Sequence, residues 1–164
     1  LEGTTHLEEP GAYSDVQRRE FERLVRQGFD GSDASLPDRI RDAELLALHY
    51  AADDALAAVA ALKTPDERYR NDLFKRAEAR VNPVDYALEL GWVFVVPAHR
   101  GSRIGERLCR MLLERASASG VFATTRPDNQ AMITILETLG FARIGGPYRH
   151  SRRNEELALF VRPR

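Results

Sequence analysis

Residues 97–106, PAHRGSRIGE, place two glycines and two arginines within six positions, directly after the apolar run GWVFVV. A strand that enters such a turn and leaves it as a helix presents free backbone N–H groups at the helix's positive end. That is the chemistry of a cradle for phosphate oxygens. Gly101 and Gly105 allow close approach to the backbone, and Arg100 and Arg103 add charged donors. The Gly-Lys-Ser/Thr triplet of nucleoside-triphosphate loops is absent, as is the dinucleotide pattern G-x-G-x-x-G. Taken alone, the turn reads equally well as an arginine-rich helix start on the surface.

The other reactive residue types are sparse. Cys109 is the single cysteine, so an intramolecular disulfide and a cysteine metal cluster are both excluded. It stands beside Leu108 on the apolar stripe of the helix after the turn and reads as a core thiol. His6, His49, His99 and His150 are scattered, with no pair at metal-ligand spacing, so no catalytic metal is expected. His49 and Tyr50 fit a half-buried strand or the lining of a pocket, and Trp92 fits a core.

The elements that must position this turn can be read from periodicity. The chain has 164 residues, 43% hydrophobic and 30% charged, a composition that suits one soluble domain with its own core. No apolar run is long enough for a membrane span, and the polar, acidic start is not a signal peptide. A reducing, cytoplasmic setting is expected from the cysteine usage. Net charge is -1 but uneven, with 13 acids against 6 arginines in residues 1–60 and 6 arginines against 2 glutamates in 141–164. The acidic half argues against a nucleic-acid coat, and the basic end reads as a solvated surface more than a phosphate contact.

Ser14 or Asp15 caps a helix carrying Val16, Phe21, Leu24, Val25 and Phe29, and FDGSDASLPD breaks it. A short helical turn is expected near 37–42. ELLALHYA and ALAAVAALK read as two strands joined by a tight link, although the alanines of 54–63 also suit a helix. Pro65 opens a helix that Asn82 and Pro83 close. YALELGWVFVV is the most strand-like segment of the chain. Residues 103–117 form a helix with Ile104, Leu108, Met111, Leu112 and Ala116 on one stripe, and GVFATTR is a strand. Asp128 caps a helix that Gly140 stops, and FARIGG and ELALFVR close the chain as paired strands. The order is α, β-β, α, β-α-β-α, β-β, a mixed sheet with helices on its faces.

In that setting ELGWVFVVPAHRGSRIGERL resembles the signature Q/R-x-x-G-x-G/A of the GNAT superfamily, the acetyl-CoA-dependent N-acetyltransferases. Arg100 fills the first place and Gly105 the last, while Arg103 stands where the middle glycine is usual. RPDNQAMITILETLGF is similar to a second family segment, with Asn129 opening its helix and Gly140-Phe141 closing it. The resemblance implies an α/β (α+β) fold: a mixed, mostly antiparallel central sheet flanked by helices, with a splayed parallel pair of strands at the CoA site. It places a single N-acetyltransferase domain at 14–164, with residues 1–13 an N-terminal segment, flexible or foreign to the natural chain.

The same resemblance implies site residues. Pantetheine amides would pair with backbone around Val95 and Val96, and the pyrophosphate would lie on the N–H groups of Gly101, Ser102, Arg103, Ile104, Gly105 and Glu106. Arg100 and Asn129 would complete the cofactor side. A strand N–H near Phe94 would face the thioester oxygen as its charge develops. The attacking amine must be neutral, yet a free alkylamine is protonated at pH 7, so a carboxylate base is expected. Glu89, eleven residues before Arg100, matches the glutamate base of the histone-acetylating branch; as a plain residue it is an edge-of-sheet acid. Asp85 and Tyr86 are weaker candidates. Many family members carry a tyrosine acid seven residues after the asparagine; here Leu136 stands there, and Tyr148 is the candidate substitute.

The function so implied is acetyl transfer from acetyl-CoA, a cosubstrate, to a primary amine on a small molecule or a protein or peptide, by direct attack on the thioester. The alternatives are a CoA-binding or regulatory module without turnover, and acylation of charged transfer RNA as in toxin members of the family. Nucleic acid is the less favoured partner and a membrane is not expected. Oligomeric state is open, a homodimer being one option.

Overall fold

Helix α1, Asp15–Gly28, begins at the cap the sequence offers it. Ser14 accepts from the Gln17 N–H at 3.1 Å, and the Gln17 side chain accepts from the Ser14 N–H at 2.9 Å. This reciprocal box is worth about 1 kcal/mol. The computed structural model describes residues 2–29, 33–116, 118–150 and 153–164. Asp30, Gly31 and Ser32 of the expected break after α1 lie outside the described residues, as do Ser117 and Ser151 and Arg152 of the basic C-terminal stretch. The described chain divides into two units, residues 1–64 with 90–115 and residues 65–89 with 116–164.

In the first unit, strands β1 (Thr4–Glu8), β2 (Leu45–Tyr50) and β3 (Leu56–Lys63) form an antiparallel run with β2 in the middle. Within residues 1–13, Thr4–Glu8 pair with Leu46–Tyr50 over five rungs. The alanines of β3 form strand rather than helix because both of its faces are covered. Leu46, Leu48, Val59 and Ala61 share a core with Phe21, Leu24 and Val25 of α1 and with Leu36 and Ile40 of α2 (Leu36–Arg41). The alternate residues Ala58, Ala60 and Leu62 are also buried, on the face against which α4 (Ile104–Arg115) packs. Small side chains let the helix lie close. Leu90–Val95, the longer part of β4 (Leu88–Val95), belongs to this unit, and its Trp92 meets Phe21 edge-on at 6.1 Å.

The second unit opens with α3, Glu67–Arg76, capped by the Asp66 carboxylate on the N–H groups of Arg68 and Tyr69. The helix stops at Arg76, short of the expected end at Asn82, where Glu78 takes a φ of 54°. Leu73, Phe74 and Ala77 pack with Phe122 of β5 (Val121–Thr125) and with Leu157, Leu159 and Val161 of β7 (Glu156–Arg162). Helix α5, Gln130–Thr138, is capped by Asn129, whose side chain accepts from the Met132 N–H at 3.2 Å; the expected cap Asp128 is corrected by one residue. Strand β6 (Ala142–Arg149) pairs antiparallel with β7, and β7 with β5.

The strands follow the order β1-β2-β3-β4-β5-β7-β6 in a mixed sheet. The parallel ladder of β4 with β5 has two rungs, Leu88↔Val121 and Glu89↔Phe122. The ladders β1–β2, β2–β3, β5–β7 and β6–β7 are antiparallel. Among the described residues no helix is long and apolar enough to cross a membrane.

Candidate active site

The turn after β4 is made by backbone conformation more than by outward side chains. Pro97–His99 form one 3-10 turn, Gly101 has a φ of 84° and Arg103 a φ of 61°. The first helical bond of α4 runs from the Arg107 N–H to the Arg103 carbonyl at 3.1 Å, so the N–H groups of Ile104, Gly105 and Glu106 sit at the helix's open end. A Cβ at Gly101 would meet nothing within 4 Å, so space lies open there. Arg103 occupies the left-handed region that favours glycine, which explains why glycine is usual at its place in the family signature. An arginine there costs about 1 kcal/mol.

Two expected donors are engaged within the turn. The Arg100 Nε donates to the Val95 carbonyl at 2.9 Å while its guanidinium covers the Phe94 ring at 5.5 Å, so Arg100 braces the turn. Ser102 donates its hydroxyl to the His99 carbonyl at 2.6 Å. Glu106 pairs with Arg110 at 3.0 Å, and Asn129 serves α5 as its cap.

The backbone around Val96 is hydrogen-bonded on both sides. The Val96 N–H donates to the Ala57 carbonyl of β3, and the Val96 carbonyl accepts from the His99 N–H, each at 2.9 Å. The Val96 N–H is thus taken, and its carbonyl already accepts one bond. Strand alternation then turns the Phe94 N–H toward β3 as well, and directs those of Val93 and Val95 to the opposite side. The half-buried Phe94 ring packs against the core, and a Cβ at Gly28 would come within 2.4 Å of it. Trp92, with a φ of 52°, is a left-handed residue inside β4 just before these residues.

Glu89 and Tyr148 come together in the second unit. Glu89 is 2% exposed, and its Oε2 accepts from the Tyr69 hydroxyl at 3.3 Å. Tyr148 is buried too, and burial raises its phenol well above the usual range, with the Glu89 charge adding to the rise. A bulge between Ile144 and Tyr148 aims this ring. There Gly145 has a φ of 63°, a Cβ on it would fall 2.0 Å from the Ala77 carbonyl oxygen, and the Gly146 N–H donates to that oxygen at 2.8 Å. Leu136, at the usual tyrosine place, is fully buried in α5.

Sequence reasoning passed over Tyr69 and Arg70. Arg70 is one of the few buried charged residues, on the stripe of α3 that carries Leu73 and Phe74. Its spacing from those two was the available signal. Cys109 is fully buried, and burial pushes its thiol up to about 12, which removes it as a nucleophile. Among the described residues no group of three His, Cys, Asp or Glu could hold a metal.

Over 73 residues the chain is 37% identical to N-alpha-acetyltransferase RimI of Mycobacterium tuberculosis (strain ATCC 25618 / H37Rv), a match covering 44% of this chain and 45% of that protein. The chain spans less than half the length of the curated relatives it matches. An acyl-CoA N-acyltransferase from Pseudomonas aeruginosa has the same fold, with a TM-score of 0.71 at 15% identity over 98% of this chain and 99% of that one. A chain of the NatC complex bound to Gag peptide and CoA gives 0.70 at 13% identity, covering 100% and 99%. The acetyltransferase (GNAT) family model matches residues 12–141, most of the sequence, and the chain belongs to that family.

Proposed function

We propose that the protein transfers an acetyl group from acetyl-CoA to a primary amine on a small molecule or a peptide. Family membership supports the reaction class. The observation that carries it is strand β4, which bears the buried carboxylate of Glu89, then the N–H groups of Val93 and Val95, and runs into the left-handed turn that opens α4. CoA supplies the thioester. The N–H groups of Ile104, Gly105 and Glu106, beside the open space at Gly101, suit its pyrophosphate.

In this reading the amine nitrogen attacks the thioester carbon, and the N–C bond forms as the C–S bond breaks. The electron pair of that bond leaves on sulfur. A β4 N–H, from Val93 or Val95, stabilises the charge on the carbonyl oxygen. Glu89 takes the amine's proton, directly or through one water. Tyr148 holds its proton too tightly to be a strong acid, since even an unperturbed phenol near 10 is weaker than a thiol near 8.5. Its role is to donate a hydrogen bond, and the thiolate collects its proton from solvent or from protonated Glu89.

The test is free-thiol release from acetyl-CoA in the presence and absence of amine acceptors, beside CoA binding by calorimetry. Acceptor-dependent release supports the proposal. CoA binding without turnover against any amine would leave a binding module, and no CoA binding would end the reading.

A further inference from the structure

Glu89 is 2% exposed, and a carboxylate buried that deeply depends on donors that face it. Tyr69 of α3 is one such donor: its hydroxyl donates to the Glu89 Oε2 at 3.3 Å. The helix holds Tyr69 from both directions. On one side the Asp66 cap accepts from the Tyr69 N–H, and on the other Leu73, one turn further, is anchored in the core of the second unit. Tyr69 thus stands at the margin of the buried stripe, 39% exposed, with its hydroxyl at the buried carboxylate. A second tyrosine relates to Glu89 differently. The Tyr148 hydroxyl is buried without a hydrogen-bond partner, and the Glu89 charge adds to the rise of its phenol.

We infer that Tyr69 is a positioning residue for Glu89: its hydroxyl fixes the carboxylate in the orientation that receives the amine's proton. The inference rests on the acetyltransferase reading above and extends the machinery of that reaction to α3. A glutamate side chain has several rotamers, and a general base must meet its proton within hydrogen-bond reach. One bond from a donor fixed on a helix selects among them. At 3.3 Å that bond is long for an O–H···O contact, so its effect falls at the lower end for a bond to a charged group. The two tyrosines then divide the work. Tyr69 gives its hydroxyl to the base, and Tyr148 keeps its own for the reacting groups.

The experiment is a double-mutant cycle on the full chain, with acetyl-CoA and an amine acceptor. Tyr69→Phe removes one oxygen from a partly exposed ring and should leave Tm within about 2 °C. In the wild-type background it should lower kcat about five- to tenfold, with the amine KM and the CoA Kd changed by less than about twofold. In the Glu89→Gln background the same substitution should change kcat by less than about twofold, because no base is left to position. An equal loss in both backgrounds would make Tyr69 a structural residue and overturn the inference. So would a change confined to KM, or no change at all. A Glu89→Gln variant that keeps its kcat would remove the base, and the inference with it, while leaving acetyl transfer standing. If no amine at all is acetylated, both readings fall together.

Discussion

The turn at 97–106 and the α3 face beside Glu89 are built from different materials. The turn is backbone: left-handed residues at Gly101 and Arg103, a helix start, and arginine and serine side chains spent on bracing it. The α3 face is side chain: Tyr69, Arg70, Glu89 and Tyr148, placed by a helix, two strands and a bulge. A backbone site tolerates substitution wherever the required φ is still reached. A side-chain site depends on each group by itself, so substitutions should be felt unequally in the two regions.

The largest effect is expected at Glu89. Glu89→Gln should lower kcat by about 10²–10⁴-fold, the range for loss of a general base, with CoA affinity intact by calorimetry. A variant that keeps more than a third of wild-type kcat would remove Glu89 from the chemistry. Next, Gly145→Ala tests the bulge that aims Tyr148. Its methyl would meet the Ala77 carbonyl, and the loss should reach about 3 kcal/mol in urea unfolding. If stability were unchanged, the bulge would not be locked against the end of α3.

On the turn side the expected effects are small, which is the point of the contrast. Arg103→Gly should raise stability by about 0.5–1 kcal/mol, since relief of the left-handed strain outweighs the extra freedom of glycine in the unfolded chain. CoA affinity should move less than threefold. A tenfold loss would make the Arg103 side chain a ligand in its own right and blur the distinction between the two regions.

The smallest effect concerns His49, which is buried and shares a 2.8 Å hydrogen bond with Thr5 of β1. Burial lowers its pKa first, and the charges of Arg107 and His99 lower it further. The folded state therefore binds a proton less readily than the unfolded chain. Stability is complete above the unfolded value near 6.5 and declines as pH falls below it toward the lowered folded value. Thermal melts should show a modest Tm decrease over that window, and His49→Gln should flatten it. An unchanged slope in the variant would assign the decrease to other groups.

The same contrast explains what could be read from the sequence. The strand-turn-helix passage was legible because an apolar run, a glycine-rich turn and a helical stripe follow one another at fixed spacing. Most elements were legible because apolar stripes such as Phe21-Leu24-Val25 and Leu108-Leu112 repeat with the helix. Strand β1 was not, because THLE has no apolar alternation of its own and becomes a strand only against the edge of β2. The end of α3 was overrun because AEARV continues a good helical composition past Glu78, where the backbone turns left-handed. That the Val96 N–H donates to the Ala57 carbonyl was not legible, because sequence does not say which side of a strand an N–H faces. Tyr69 and Arg70 read as ordinary members of an amphipathic helix; their significance appears only when Glu89 and Tyr148 arrive from elsewhere in the chain.

The placement of Trp92 and Cys109 has a practical consequence. Each is the only residue of its type in the chain, and both lie in the first unit, Trp92 at 6% exposure and Cys109 at 0%. Tryptophan fluorescence and thiol labelling therefore watch one half of the molecule. With its pKa near 12 and no solvent contact, Cys109 can be alkylated only through an opening of α4, so its labelling rate is a clock for that unit. The half that holds Glu89, Arg70 and Tyr148 is silent to both probes, and its unfolding needs a reporter of its own, such as tyrosine absorbance or amide exchange.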